Sequence, residues 1–154
     1  MTNPSATAND RSATTGGVHH VAIAVRDLDA VEAFYRDVLG LPILRRWPMP
    51  DDEKRDRSVW CDLGGGAFLA LERAADGDVA REGAAAERGR GYLMMALRIA
   101  GAARAAWEAR LAAAGVAIVH RTAYTLYVAD PEGNRVGLSH WPDAAAEPGA
   151  QARG

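Results

Sequence analysis

Four histidines, a single cysteine and a scatter of carboxylates are the residues of this chain able to do acid–base, nucleophilic or metal chemistry, and their spacing sorts them. His20 opens the run His20-Val21-Ala22-Ile23-Ala24-Val25, where β-branched residues alternate with one histidine and two alanines. A period of two places the bulky residues on one strand face and His20 with Ala22 and Ala24 on the other. Small neighbours leave room for a ligand, and an imidazole titrates near neutrality, so His20 can act as a general base or bind a metal. The plainer role is a wall histidine hydrogen-bonded to tyrosine or backbone. Glu72, which ends the run Ala67 to Glu72, is the candidate acid or partner; its plainer role is a strand-end carboxylate facing water. His19 falls on the face opposite His20. Cys61 shares its parity with Val59 and Leu63, which makes it an inert core thiol rather than a nucleophile. Gly64-Gly65-Gly66 joins two strands and opens no helix, so it reads as a hairpin turn and not as a phosphate loop.

The elements that must position these residues are legible on both sides of them. Asp29 can cap a helix with Glu32 as its capping-box partner, and Ala30, Phe34 and Val38 give that helix an apolar stripe. Gly40, Leu41 and Pro42 end it. Ile43 to Arg46 reads as a strand. Trp47-Pro48-Met49-Pro50 then leads into the charged stretch Asp51 to Arg57, either a solvated connection or a lid bearing Trp47 and Met49. Ser58 to Leu63 and Ala67 to Glu72 are strands. After a stretch without periodicity the theme returns: a strand from Tyr92 to Ile99, a helix with Ala103, Trp107 and Leu111 on its stripe (Trp107 assigned to the core), and Gly115 behind it. Val116 to His120, Thr122 to Val128 and Arg135 to Ser139 complete a second set of strands. Asp130-Pro131-Glu132-Gly133 has the residues of a type I turn. The organisation is therefore a duplication: a flexible tail over 1–17, a β-α-β-β-β module over 18–75, a linker over 76–90, a second module over 91–142 and a flexible tail over 143–154.

Composition narrows the classes. A chain of 154 residues, 49% hydrophobic, can bury a core as one domain or two small modules. A net charge of −2 gives no positive field for nucleic acid or anionic lipid. A lone cysteine forms no internal disulfide, which points to a reducing cytoplasm. No apolar run is long enough to span a bilayer.

The opening His-x-Ala-x-x-Val-x-Asp-Leu pattern, the Phe-Tyr-Arg-Asp-Val-Leu-Gly-Leu run and the closing Asp-Pro-Glu-Gly-Asn-Arg resemble the vicinal oxygen chelate superfamily. That superfamily includes glyoxalases, bleomycin-resistance proteins, fosfomycin-resistance enzymes and extradiol dioxygenases. The resemblance runs from Val18 to Trp141. It implies an α+β fold of two β-α-β-β-β modules whose curved mixed sheets form a shared cavity, commonly in a homodimer. In the enzymes a divalent metal is held by side chains of both modules. Residue by residue, the resemblance places His20 at the first ligand position, Ala70 at the second (with Glu72 two residues on), Met94 at the third and Gly137 at the fourth. A thioether and a missing side chain cannot hold a hard divalent ion, and nothing in the spacing of His120 or His140 favours a rearranged site. No cofactor is therefore expected, a divalent metal being the alternative.

The expected ligand is a small organic molecule against His20, Trp60, Phe68, Ala70, Glu72, Met94, Arg98, Tyr124, Tyr127 and Gly137. The expected function is sequestration, resistance or natural-product metabolism. A metal-dependent or His20-dependent lyase, isomerase or dioxygenase is the alternative.

Overall fold

The computed structural model describes residues 15–75 and 92–142. The linker expected over 76–90, the tail expected over 143–154 and most of the one over 1–17 lie outside the described residues. The alternation at His20 forms strand β1, His20–Val25, with Val21, Ile23 and Val25 on the core side. Asp27, not Asp29, caps helix α1, Leu28–Ala33, its Oδ1 accepting from the Ala30 amide at 3.0 Å. The earlier start buries Leu28. It also frees Glu32 from the expected capping box: this carboxylate is buried and pairs with Arg36 and Arg46. Helix α1 widens into a π turn, Phe34–Val38, and the buried stripe, already set by Leu28 and Val31 in α1, continues through it. Val31, Phe34, Tyr35 and Leu39 are buried, whereas Ala30 and Val38 are only half-buried. Gly40, at φ +75°, ends the segment as its left-handed conformation allows.

Strands β2 (Ile43–Pro48), β3 (Asp56–Gly64) and β4 (Ala67–Arg73) complete the first module in the order β1-β4-β3-β2. β1 runs parallel to β4, and the other pairs are antiparallel. Strand β2 takes in Trp47 and Pro48, which the sequence placed in a loop. It is the sheet edge, where a residue lacking an N–H is tolerated.

The second module repeats the plan with β5 (Met95–Arg98), a 3₁₀ turn (Gly101–Ala103), α2 (Arg104–Ala113), β6 (His120–Arg121), β7 (Thr125–Ala129) and β8 (Arg135–Ser139), ordered β5-β8-β7-β6. β5 is shorter than the expected Tyr92 to Ile99, since Tyr92 and Leu93 stand outside the sheet and exposed. Of Val116 to His120 only His120 enters a strand, and β7 begins at Thr125 because the Thr122 hydroxyl accepts from the amides of Tyr124 and Thr125.

One buried cluster runs through both modules, from Leu28, Val31 and Leu71 to Leu111, Leu126 and Leu138, with Trp107 packed partly against it. Polar contacts tie the modules together. The Asp130–Gly133 turn closes with Gly133 N donating to Asp130 O at 3.0 Å. From that turn Glu132 Oε1 accepts from the backbone amides of Arg26 and Asp27 at 2.6 and 2.7 Å. The Tyr35 hydroxyl donates to Asp130 Oδ2 at 3.4 Å, and Arg110 donates to the Asp37 carbonyl at 2.9 Å.

Candidate functional site

Helix α1 covers one face of the first sheet and leaves the other open. The open face is built from residues of one parity on each strand: His20, Ala22 and Ala24 on β1; Phe68, Ala70 and Glu72 on β4; Ser58, Trp60 and Asp62 on β3. His20, Ala22 and Ala24 are exposed, as the alternation required. Aromatic rings dominate the lower rungs. The His20 ring stacks on Phe68 with centroids 4.9 Å apart and planes within 10°, and Phe68 stacks on Trp60 at 4.3 Å and 20°. His20 and Phe68 pair in register, so their rings stack across neighbouring strands, and Trp60, which pairs with Ala70, leans diagonally onto Phe68. Trp47 meets Trp60 edge-on at 5.4 Å, and the Arg45 guanidinium sits 3.7 Å above the Trp47 ring. The column ends in a cation–π contact.

Above the rings the face becomes polar. The Trp60 indole donates to Ser58 Oγ at 3.1 Å, and the Ser58 hydroxyl donates to Glu72 Oε1 at 2.7 Å. Glu72 pairs in register with Ala24 and His20 with Phe68, so His20 and Glu72 stand four residues apart along the strands, about 13 Å. The structure places the two candidate catalytic residues on one face without bringing them together. His19 lies before β1 and its ring does not turn away: its Nδ1 is 2.8 Å from His20 Nδ1, and it meets Phe68 edge-on. Strand parity does not govern a residue outside the strand.

In the second module the equivalent face carries Ala96 and Arg98 on β5, Arg135, Gly137 and Ser139 on β8, and Thr125 and Tyr127 on β7. The registers make the two faces superimposable rung by rung. Trp60–Ala70–Ala22 in one corresponds to Tyr127–Gly137–Ala96 in the other. Met94, two residues before Ala96, occupies the rung of His20. A Cβ at Gly137 would lie 3.2 Å from Thr125 Cγ2 and 3.5 Å from both Ala96 Cβ and Met94 Cε. His120 rests against Tyr127 with ring centroids 5.3 Å apart. Among the described residues no three His, Cys, Asp or Glu side chains are grouped to hold a metal ion.

Tyr124 departs from the expected wall. It precedes β7, and its ring packs on Trp141 and on the buried His140, away from the rung of Tyr127 and Gly137. Cys61 is fully buried beneath the first sheet, and burial pushes its thiol up to about 11. In the native protein it should stay unlabelled by a thiol reagent at pH 8 and react only on unfolding; fast native labelling, followed by absorbance, would contradict that placement. Sequence reasoning missed Ser58 as the link between Trp60 and Glu72, although its parity with Trp60 was the available signal. The role of Arg45 had no such signal, because the irregular register between Ile43 and Arg45 breaks the alternation there.

Comparison with known proteins adds the family. Residues 17–138 match the model of the glyoxalase/bleomycin resistance protein/dioxygenase superfamily. No curated protein matches the chain. Among solved structures, a glyoxalase/dioxygenase from Nostoc punctiforme is 20% identical with a TM-score of 0.69, the match covering 90% of this chain and 96% of that one. TnmS3, an antibiotic-binding protein from a Streptomyces species, is 22% identical with a TM-score of 0.60, covering 83% of this chain and 98% of that one. The fosfomycin resistance protein FosX of Listeria monocytogenes is 16% identical with a TM-score of 0.61, covering 82% and 93%; a variant of it has been crystallised with Mn(II) and a dihydroxypropylphosphonic acid. At these identities the likeness concerns the fold. No helix among the described residues is long and apolar enough to cross a membrane.

Proposed function

Because the chain belongs to the glyoxalase/bleomycin resistance protein/dioxygenase superfamily, we propose that it binds a small organic molecule in the cavity between its two modules and does so without a resident divalent cation. The observation that carries this reading is the tight environment of Gly137, where even a Cβ would come within 3.2 Å of Thr125 Cγ2. A side chain there would press on Thr125, while Ala96 and Met94 stand at ordinary contact distance. Catalytic metal sites take about three protein ligands and keep an open position. Here His20 stands on a ring column, Ala70 has no donor, Met94 offers a thioether and Gly137 offers nothing, so the donor set does not fit such an ion.

What the face does offer suits an organic ligand. Ala22 and Ala24 form a low exposed floor, His20, Phe68 and Trp60 form a wall beside it, and Glu72, held by the buried Ser58, supplies the polar end. Apolar surface with a few fixed polar groups is the usual make-up of a ligand pocket. That TnmS3 is an antibiotic-binding protein agrees with sequestration. A cytoplasmic homodimer is the setting we propose for it. The test is crystallographic, on protein purified without added ligand or chelator and soaked with aromatic compounds. Density for an organic molecule over the alanine floor is expected, and an ion held by three protein side chains beside His20 would overturn the reading.

The register can be tested by reversal. Met94→His with Gly137→Glu restores two donors, with the Thr125 methyl group the neighbour that must shift. The folded double mutant is expected to bind Ni(II) or Mn(II) at least about tenfold tighter than the wild type by calorimetry. Unchanged affinity would contradict the assigned rungs.

A second reading, an enzyme using His20 for acid–base chemistry, draws on the contact between His19 Nδ1 and His20 Nδ1. One ring must donate and the other accept, so the pair can pass on a proton. Turnover lost in His20→Ala with ligand binding retained would favour it over sequestration.

A further inference from the structure

Glu72 is the one half-buried carboxylate among the described residues that meets neither an arginine nor a backbone amide. It sits on β4, an interior strand, and register fixes its neighbours on the open face: Ala24 on one side, Ser58 on the other, and Trp47 beyond Ser58. Ser58 is 1% exposed and belongs to a hydrogen-bond chain that runs one way. An indole N–H can only donate, so Ser58 Oγ accepts from Trp60 Nε1 at 3.1 Å and its own proton goes to Glu72 Oε1 at 2.7 Å. The chain holds one carboxylate oxygen in place. The other has no hydrogen-bond partner among the described residues, and Glu72 borders the exposed Ala24.

The other ionisable groups on the strands of this face are placed elsewhere. His20 stands four residues away along β1, in the ring column. Asp62 lies on the rung of Phe68 and accepts from Gly64 N at 2.7 Å, within its own turn. Arg45 stands at the sheet edge with its guanidinium 3.7 Å from the centroid of the Trp47 ring, and it forms no ion pair with Glu72. That contact is also an internal precedent: the aromatic end of the face takes a flat cation laid on an indole. A carboxylate fixed from one side by a hydroxyl and free on the other receives an ammonium or amidinium N–H in a charge-assisted hydrogen bond, and it repels an anion. A neutral hydroxyl in the same place gains roughly half as much.

Resting on the proposed binding reading, we infer that the ligand is an organic cation whose ammonium, amidinium or guanidinium group meets Glu72. Its apolar or aromatic body lies over Ala22 and Ala24 against the wall of His20, Phe68 and Trp60. Glu72 sets the specificity, because a neutral or anionic molecule of the same shape leaves the carboxylate without a counter-ion. Ser58 is a positioning residue, which acts through Glu72 by fixing where the carboxylate stands.

Three probes of nearly one shape separate the possibilities: benzylamine, a cation at pH 7; benzyl alcohol, its neutral counterpart; and benzoate, an anion. Affinities are read by protein-observed NMR titration of the full chain. Benzylamine is expected to bind about tenfold or more tightly than benzyl alcohol, with benzoate weakest. Glu72→Gln keeps the shape and an acceptor for Ser58; it should abolish that preference and leave benzyl alcohol within about twofold, with unchanged amide spectra elsewhere showing that the variant is folded. Ser58→Ala should narrow the ratio of the two affinities, which a general loss of packing, weakening both alike, would not move; an unchanged ratio would overturn the positioning role. Equal binding of benzylamine and benzyl alcohol by the wild type, tighter binding of benzoate, or a preference that survives Glu72→Gln would overturn the cation assignment and leave the binding reading standing. No perturbation of the floor or ring resonances by any probe would overturn both.

Discussion

Phe68→Ala is expected to weaken the binding of aromatic ligands by about tenfold to a hundredfold while the protein stays folded. Phe68 is the middle ring of the column, stacked on His20 at 4.9 Å and on Trp60 at 4.3 Å. Each such pair contributes about 0.5–1.5 kcal/mol beyond buried area, so losing both removes about 1–3 kcal/mol of pre-organisation from the wall. The residue is half-buried on the open face, outside the core cluster, so the fold survives its loss. Titrating tryptophan fluorescence with an aromatic probe measures the effect. Affinity unchanged within about twofold would mean that ligands do not use this wall.

Tyr35→Ala should cost about 3–5 kcal/mol of stability, a large part of what a domain of this size has to spare. Tyr35 is 1% exposed and its ring meets Phe34 edge-on inside the core. Its hydroxyl reaches Asp130, in the turn that also sends Glu132 back to the first module. Tyr35→Phe keeps the ring and loses only a 3.4 Å hydrogen bond, so it should fall within about 1 kcal/mol of wild type. Burial first, and the negative Asp130 second, raise the phenol well above its usual value of 10.0. The folded state therefore favours the neutral phenol. That contribution is complete below pH 10 and is lost as the pH rises above it, through deprotonation in the unfolded chain. Urea unfolding at pH 8 and pH 11 should show a steeper alkaline loss in the wild type than in Tyr35→Phe. Equal losses would mean that another group, such as Cys61, accounts for it.

The strands that carry the site were the most legible part of the chain. Alternation fixes which residues share a face, so His20, Ala22 and Ala24 could be placed together from their order alone, and the structure exposes all three. The helix cap was misplaced because Asp27 and Asp29 are chemically equivalent as caps. The burial of Leu28, a tertiary effect, selects the earlier one. The buried stripe is Leu28, Val31, Tyr35 and Leu39 rather than Ala30 and Val38, and the π turn it crosses has no signature in a period of 3.6. Register decided the site itself. Parity could say that His20 and Glu72 face the same way, but only the pairing of β1 with β4 shows them four residues apart. Tyr124 was assigned a strand position that it does not hold, since the Thr122 turn delays β7 by three residues.

Elemental analysis of the full-length protein, purified without chelator and dialysed against metal-free buffer, tests the central claim most directly. If the missing side chain at Gly137 and the methionine at 94 leave this superfamily member without a cation cage, each of zinc, iron, nickel, manganese and cobalt should fall far below one equivalent per chain. One equivalent of any of them, retained through dialysis and released by His20→Ala, would contradict the account.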